Sequence, residues 1–205
     1  MTMVHDAMTG TLRTLITDGG LLARLKVRPI EQVTVWGRRR QAAERYQRDM
    51  AAAGVPVSIA ASARDAVRGA EVVITATSST GPLIEAGWLA RGAHVTAVGS
   101  DMPHKQELDP RILVAAGKYV PDSIGAAADS GELHHALEAG LLEVGSVYGE
   151  LTAVASGRLA GRTADDELTV ADLTGLGIQD AAVAALADRL ADEHGAGRDV
   201  PLGGW

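Results

Sequence analysis

The chain has 205 residues, a formal net charge of −7 and no cysteine, which argues against a nucleic-acid-binding protein and excludes disulfides, thiolate metal sites and a cysteine nucleophile. Hydrophobic residues make up 46% of the chain but aromatic residues only 3%, so the core is expected to consist of Ala, Val, Leu and Ile. No apolar run has membrane-spanning length and no signal peptide is recognised, so we expect a soluble cytoplasmic protein without membrane partners.

The first 32 residues predict two short strands on either side of a turn at Thr9-Gly10. The second of these strands covers residues 12–17. The Asp-Gly-Gly sequence at 18–20 predicts another turn, and residues 21–27 predict a short helix or strand.

From residue 32 onward, short β-branched runs alternate with helical stretches, which indicates βαβ units and a parallel sheet. The residues around Gly131 predict helical pieces over 125–142, and residues 78–82 predict a turn. Strands are predicted at 32–36, 55–60, 71–77, 94–98, 118–121 and 168–172, and helices at 38–53, 62–67, 111–116, 148–156 and 177–194. The fold class is therefore α/β, a Rossmann-like parallel sheet flanked by helices.

Strand 94–98 is the most informative strand, because the carboxylate of Asp101 follows it almost at once. In open α/β sheets, ligands bind beyond the carboxyl ends of the strands. Asp101 is therefore placed where a catalytic acid or base can act. The alternative is that Asp101 and Asp109 are only turn and cap residues, with Asp109 capping a helix that begins at Pro110.

Three arginines, Arg38, Arg39 and Arg40, follow strand 32–36. No acidic residue ends this strand to bind a ribose 2′-hydroxyl, as in NAD-specific Rossmann folds. Guanidinium groups suit the 2′-phosphate of NADP, so Arg38 above all, and then Arg39, are candidate cofactor ligands. The alternative is a solvated first helical turn.

Small residues end the strand 71–77, where Thr75, Ala76 and Thr77 would let a dinucleotide approach closely. The adjacent histidines His134 and His135 point to different sides of a helix, so we interpret them as structural residues and predict no metal site. Glu132 is expected to be a cap or a solvated residue.

Three motifs carry a resemblance to a known family. Residues 99–108 (GSDMPHKQEL), 131–136 (GELHHA) and 161–180 (GRTADDELTVADLTGLGIQD) are similar to segments of the ornithine cyclodeaminase/μ-crystallin family. The resemblance runs from about residue 28 to 180. Within this family, the sequences at residues 104–105 (HK) and 132–135 (ELHH) are most similar to the ectoine-utilisation cyclodeaminase-like branch.

The resemblance implies an NAD(P)-dependent cyclodeaminase or ketimine (cyclic imino acid) reductase acting on a small amino or imino acid. Asp101 would be the proton donor and acceptor, Val98 and Gly99 would lie under the cofactor, and Thr174 and Gly175 would contact it. The family also implies a homodimer formed through the substrate domain. Two alternatives stay open: a non-catalytic, μ-crystallin-like binding protein, and an inactive truncated family member.

The sequence departs from the family pattern at its beginning. The first Rossmann strand and its G-x-G-x-x loop have no counterpart, so we expect the first strand to be missing or replaced by residues 12–17. The predicted domains are a remnant of the N-terminal substrate or dimerisation domain (1–27), a Rossmann-like dinucleotide-binding domain (28–145) and a C-terminal helical segment returning to the substrate side (146–205).

Overall fold

The computed structural model describes residues 2–5, 12–16, 32–52 and 55–195. The chain divides into two compact units, one made of residues 1–22 and 176–205, the other of residues 23–175. The predicted turn at 18–20 and the predicted element at 21–27 lie outside the described residues. Among the helices that are described, none is both long and apolar enough to cross a membrane.

The elements follow the alternation that the sequence predicts. The described strands are β1 (Thr2–His5), β2 (Leu12–Ile16), β3 (Val33–Val35), β4 (Val57–Ile59), β5 (Val72–Thr75), β6 (Thr80–Ile84), β7 (His94–Ala97), β8 (Gln106–Leu108), β9 (Lys118–Pro121) and β10 (Thr169–Asp172). The described α-helices are α1 (Arg40–Ala52), α2 (Ala63–Val67), α3 (Arg111–Ala115), α4 (Ile124–Ser130), α5 (Glu132–Glu138), α6 (Leu151–Ala155) and α7 (Gly177–His194).

A four-stranded parallel sheet forms the centre of the larger unit, in the order β5-β7-β10-β9. The central strand β7 is buried along nearly its whole length, whereas the edge strand β5 alternates buried and exposed residues. The side chains of Val95, Leu108, Ile112, Leu133 and Val170 are at most 1% exposed. The core is thus aliphatic, as the composition predicts, and the α/β fold class is confirmed.

Two further pairs of parallel strands belong to the larger unit: β3 with β4, and β6 with β8. The second pair corrects the sequence analysis, which predicts a turn at residues 78–82 and no strand between residues 99 and 110. β6 contains Pro82, which removes a ladder donor and hides the strand from local pattern recognition. It forms because residues 106–108 pair with it from a distance.

The strand predicted at residues 12–17 is present as β2, and it pairs antiparallel with β1, while the predicted turn at Thr9-Gly10 lies outside the described residues. The suggestion that it replaces the first Rossmann strand is wrong, because β2 belongs to the smaller unit and its described partner is β1. Pairing with β1 requires closure of only a short connection, residues 6–11, which costs little chain entropy.

Polar side chains precede the helices α2 and α3 and accept backbone hydrogen bonds from their first turns. Ser62 accepts a hydrogen bond from the Asp65 N–H at the start of α2. Asp109 accepts one from the Arg111 N–H at 3.0 Å, as an N-cap does, and also binds the Arg111 guanidinium. The latter hydrogen bond is the main reason why the pKa of Asp109 lies below its ordinary value.

Candidate functional site

The predicted site residues converge at the carboxyl edge of the central sheet. Thr75 is level with Ala97, and Ala97 is level with Asp172. The segments that follow β5, β7 and β10 therefore leave the sheet side by side. They carry eight of the predicted residues: Thr75, Ala76, Thr77, Val98, Gly99, Asp101, Thr174 and Gly175.

Glu107, on β8, joins the ends of β5 and β7. Its side chain is fully buried. It accepts hydrogen bonds from the Thr75 hydroxyl at 2.7 Å, the Thr77 N–H at 2.5 Å and the Gly99 N–H at 2.8 Å. These three donors therefore already have an acceptor within the protein. Thr75 can contact a ligand mainly by packing against it.

Gly99 is a glycine because no side chain fits at this crossing. A Cβ atom built there would lie 2.1 Å from the Thr77 carbonyl oxygen and 2.6 Å from the Glu107 carboxyl carbon. Both distances are shorter than real Cβ contacts. The close approach brings the segment after β7 against the segment after β5.

Asp122 fixes the neighbouring strand end in the same way. It is 4% exposed and accepts hydrogen bonds from the Thr174 hydroxyl and the Gly175 N–H, both at 3.0 Å. Gly175 has a φ of +85°, in the left-handed region that favours glycine. The Thr174 hydroxyl and the Gly175 N–H thus bind the buried carboxylate of Asp122, as the Thr75 hydroxyl binds that of Glu107.

Asp101 lies at the exposed part of the loop between β7 and β8. Its carboxylate Oδ1 is 2.5 Å from the Lys105 ammonium, and the Asp101 side chain is 49% exposed. The Ser100 hydroxyl donates to the Lys105 carbonyl at 2.6 Å, and His135 Nε2 lies 2.7 Å from the same oxygen. A carbonyl can only accept, so His135 carries its proton on Nε2. Ser100 and His135 thus hold the loop at the Lys105 carbonyl, while the Asp101 side chain stays accessible to solvent.

A second layer of buried acids lies behind Glu107. Glu132 is 1% exposed, which corrects the expectation of a solvated side chain. It accepts hydrogen bonds from the N–H groups of Glu107 and Leu108 at 2.8 and 3.1 Å. Burial, helped by the charge of Asp172, raises the pKa of Glu132 to about 8.

Asp172 is fully buried at the end of β10. Its Oδ2 accepts from the Tyr119 hydroxyl at 2.6 Å and from the Glu132 N–H at 2.8 Å, whereas Oδ1 has no hydrogen-bond partner in the described part of the chain. Burial raises the pKa of Asp172 to about 7, although the Tyr119 hydrogen bond opposes the shift. Burial, followed by the charge of Asp172, also raises the pKa of Tyr119.

Arg38 lies in a separate cleft at the ends of β3 and β4. The cleft has a volume of about 280 Å³ and is lined by Trp36, Gly37, Arg38, Arg40, Ile59, Ala60 and Ala61. Of the two arginines predicted as cofactor ligands, Arg38 lines the cleft and Arg39 does not. Arg40 also lines it, but its Nε donates to the Glu44 carboxylate at 3.0 Å. The other lining residues are apolar or glycine. This set of groups fits a nucleoside bearing a phosphate.

Both histidines of the 131–136 motif contact backbone carbonyls. His134 Nδ1 lies 3.1 Å from the Ala128 oxygen, and His135 contacts Lys105 as described above. Across the described ranges, no group of three or more His, Asp or Glu side chains is arranged to hold a metal ion.

Sequence reasoning did not assign a role to Glu107, Asp122 or Asp172. A buried acid and a solvated acid look alike in a sequence, since the strands that bury them lie tens of residues away. The one available signal for Glu107 was its position inside the 99–108 motif.

A model of the ornithine cyclodeaminase/mu-crystallin family matches residues 17–193. The chain belongs to this family. It is 42% identical to an uncharacterized cyclodeaminase of Sinorhizobium fredii over 200 residues, which is 94% of this chain and 59% of that protein.

Solved structures of this family have the same fold. A Thermococcus litoralis Δ1-pyrroline-2-carboxylate reductase in complex with NADH and L-proline superposes with a TM-score of 0.81 at 30% identity, covering 88% of this chain and 56% of that one. An archaeal alanine dehydrogenase dimer with bound NAD gives 0.79 at 35% identity, covering 89% and 56%. The chain therefore spans a little more than half the length of these relatives.

Proposed function

We propose that the chain carries the cofactor-binding and proton-transfer site of an NAD(P)-dependent cyclodeaminase or ketimine (cyclic imino acid) reductase. Its substrate would be a small amino or imino acid. The observation that carries the proposal is the accessible carboxylate of Asp101, directly beyond β7 and beside the glycine that brings two strand ends together. The bound NADH and L-proline of the Thermococcus litoralis relative support this class of ligands.

The proposed chemistry assigns one task to Asp101. A bound nicotinamide would supply or take up the hydride at the substrate carbon. In the reductive direction, Asp101 donates the proton that the imine nitrogen gains as the carbon–nitrogen double bond becomes a single bond. In the oxidative direction it accepts that proton.

Cofactor contacts are proposed for Arg38, Arg39, Thr75, Ala76, Thr77, Val98, Gly99, Thr174 and Gly175. The buried carboxylates already bind the polar groups of Thr75, Thr174 and Gly175, so these residues would contact a cofactor through their surfaces. The Thr77 hydroxyl accepts from the Ser79 N–H at 3.2 Å and keeps its own proton to donate. The Arg38 guanidinium at the cleft favours NADP over NAD.

Equilibrium binding tests the cofactor assignment. NADPH and NADH are titrated against the wild type and Arg38→Ala by fluorescence, with Arg48→Ala as the matched control. Arg48 is an exposed arginine of α1, the helix that follows Arg38, but does not line the cleft. Loss of one charged hydrogen bond should weaken NADPH binding by about 1.5–3 kcal/mol, which corresponds to roughly 10- to 150-fold. Equal NADPH binding by Arg38→Ala and Arg48→Ala would contradict the phosphate contact.

Turnover tests the role of Asp101. Asp101→Asn should bind NADPH like the wild type but reduce Δ1-pyrroline-2-carboxylate at least about 100-fold more slowly, as expected for loss of a general acid. NADPH binding by the wild type without turnover of any amino or imino acid tested would favour the non-catalytic alternative. The proposal also includes a homodimer and a role in ectoine utilisation, which the family resemblance implies, and a cytoplasmic location.

A further inference from the structure

We propose that Glu107 is a positioning residue of the cofactor site, which fixes the segments after β5 and β7 in one relative position. It would thereby set the place of Asp101 relative to the cofactor. This inference rests on the proposed function.

The contacts of Glu107 lie where the strand ladder ends. The backbone pairing of β5 and β7 reaches the Val98 N–H, which donates to the Thr75 carbonyl at 2.9 Å. Beyond this point the Glu107 carboxylate links the two segments, because it accepts hydrogen bonds from the Thr77 N–H on one side and the Gly99 N–H on the other. It therefore holds the two segments together after their own pairing has stopped.

Glu107 also closes the base of the Asp101 loop. The loop leaves the sheet at Gly99 and returns through Lys105 to β8, where Glu107 itself lies. The hydrogen bond from the Gly99 N–H to Glu107 Oε2, at 2.8 Å, thus joins the two ends of the loop. Asp101 is carried by a segment whose two ends are tied to each other and to β5.

The backbone of Glu107 is fixed from the opposite side. Glu132 Oε1 accepts from the Glu107 N–H, and Oε2 accepts from the Leu108 N–H. Pairing of β8 with β6 adds a second restraint. The carboxylate of Glu107 therefore acts from a rigid support.

A buried carboxylate is a costly way to obtain mere stability. Burying a charge is unfavourable unless it is paired or well hydrogen-bonded, and within the described ranges no Lys, Arg or His forms an ion pair with Glu107. Its three donors are instead two backbone N–H groups and one hydroxyl, all belonging to segments that carry predicted cofactor contacts. Rigid geometry at a catalytic site has large kinetic value, since small displacements lower rates strongly.

The test is Glu107→Gln, which keeps the size but sets an NH₂ group against at least one backbone N–H. Ile112→Val, a substitution of a fully buried core residue in α3, serves as the stability-matched control. We measure melting temperature, NADPH dissociation constant, kcat and KM with Δ1-pyrroline-2-carboxylate. Glu107→Gln should weaken NADPH binding several-fold and lower kcat/KM roughly 10- to 100-fold, while Ile112→Val changes only the melting temperature.

Thr75→Val gives a milder version that removes only one donor to Glu107. If Glu107→Gln does not fold, Thr75→Val should still lower kcat/KM in the same direction. Kinetic constants for either variant that match those of Ile112→Val would overturn the positioning role while leaving the proposed function intact. Absence of NADPH binding and turnover in the wild type would instead overturn the proposed function, and the role of Glu107 with it.

Discussion

Gly99→Ala is the substitution for which the structure gives the sharpest expectation. The added methyl group would lie 2.1 Å from the Thr77 carbonyl oxygen and 2.6 Å from a carboxylate oxygen of Glu107. Neither neighbour is the free end of a flexible side chain. Overpacking of this kind costs about 1–3 kcal/mol, and separation of the strand ends would also weaken a hydrogen bond to a charged group, worth about 1.5–3 kcal/mol.

The combined loss in the free energy of unfolding is therefore roughly 3–5 kcal/mol. For a chain of this length it should lower the melting temperature by roughly 6–20 °C. Denaturant titration followed by circular dichroism measures the free energy of unfolding, and a thermal melt gives the temperature.

Gly87→Ala is the matched control, because a Cβ there meets nothing within 4 Å and the residue is exposed. It should stay within about 1 kcal/mol of the wild type. If Gly99→Ala unfolds at the same denaturant concentration as Gly87→Ala, the close crossing of the two strand ends is wrong, and so is the clamp by Glu107.

Three further substitutions test the buried acids. Glu132 and Asp172 have raised pKa values, so the folded state binds their protons more tightly than the unfolded state does. The free energy of unfolding is therefore greatest while both groups are protonated. It falls as pH rises toward about 7–8, by at most about 1.4 kcal/mol per pH unit and proton. Glu132→Gln should flatten this fall between about pH 5 and 8 in urea titrations, and an unchanged slope would contradict the assignment. Tyr119→Phe removes a 2.6 Å hydrogen bond to Asp172. At about pH 8, where Asp172 is ionised, it should cost about 1.5–3 kcal/mol in urea titrations, the value for a hydrogen bond to a charged group. An effect below about 0.5 kcal/mol, on the order of an ordinary surface change, would refute that value. Asp109→Ala should lower the free energy of unfolding by about 1 kcal/mol near neutral pH through loss of the helix cap. Because the pKa of Asp109 is lowered in the folded protein, the difference from wild type should shrink as acid protonates Asp109. A difference that stays constant down to about pH 3 would contradict this expectation.

Local patterns predicted the order of elements well where each element carries its own signal. The strands around Val73 and Val95, for instance, are recognisable from β-branched runs between glycines, and the helix that begins after Ser62 from its cap. The three sequence motifs predicted the family, because their order along the chain is specific to it even though each motif is short.

Elements that depend on a distant partner escaped prediction. β6 contains a proline and β8 has only three residues, so neither is a strand by local preference, and each exists because the other supplies its hydrogen bonds. Residues 12–17 were correctly predicted as a strand, but the partner of that strand was decided by the tertiary structure.

The same division applies to the site. The sequence by itself determined the class of the fold, the family and the candidates at the strand ends, because backbone preference and motif order are local properties of the chain. The burial of Glu107, Asp122 and Asp172 depends on the tertiary structure, and so do the hydrogen bonds that Glu107 and Asp122 accept from the predicted cofactor residues. The physical reason is that burial and hydrogen-bond partnership arise from segments distant in the chain, so the role of a carboxylate is set by its surroundings.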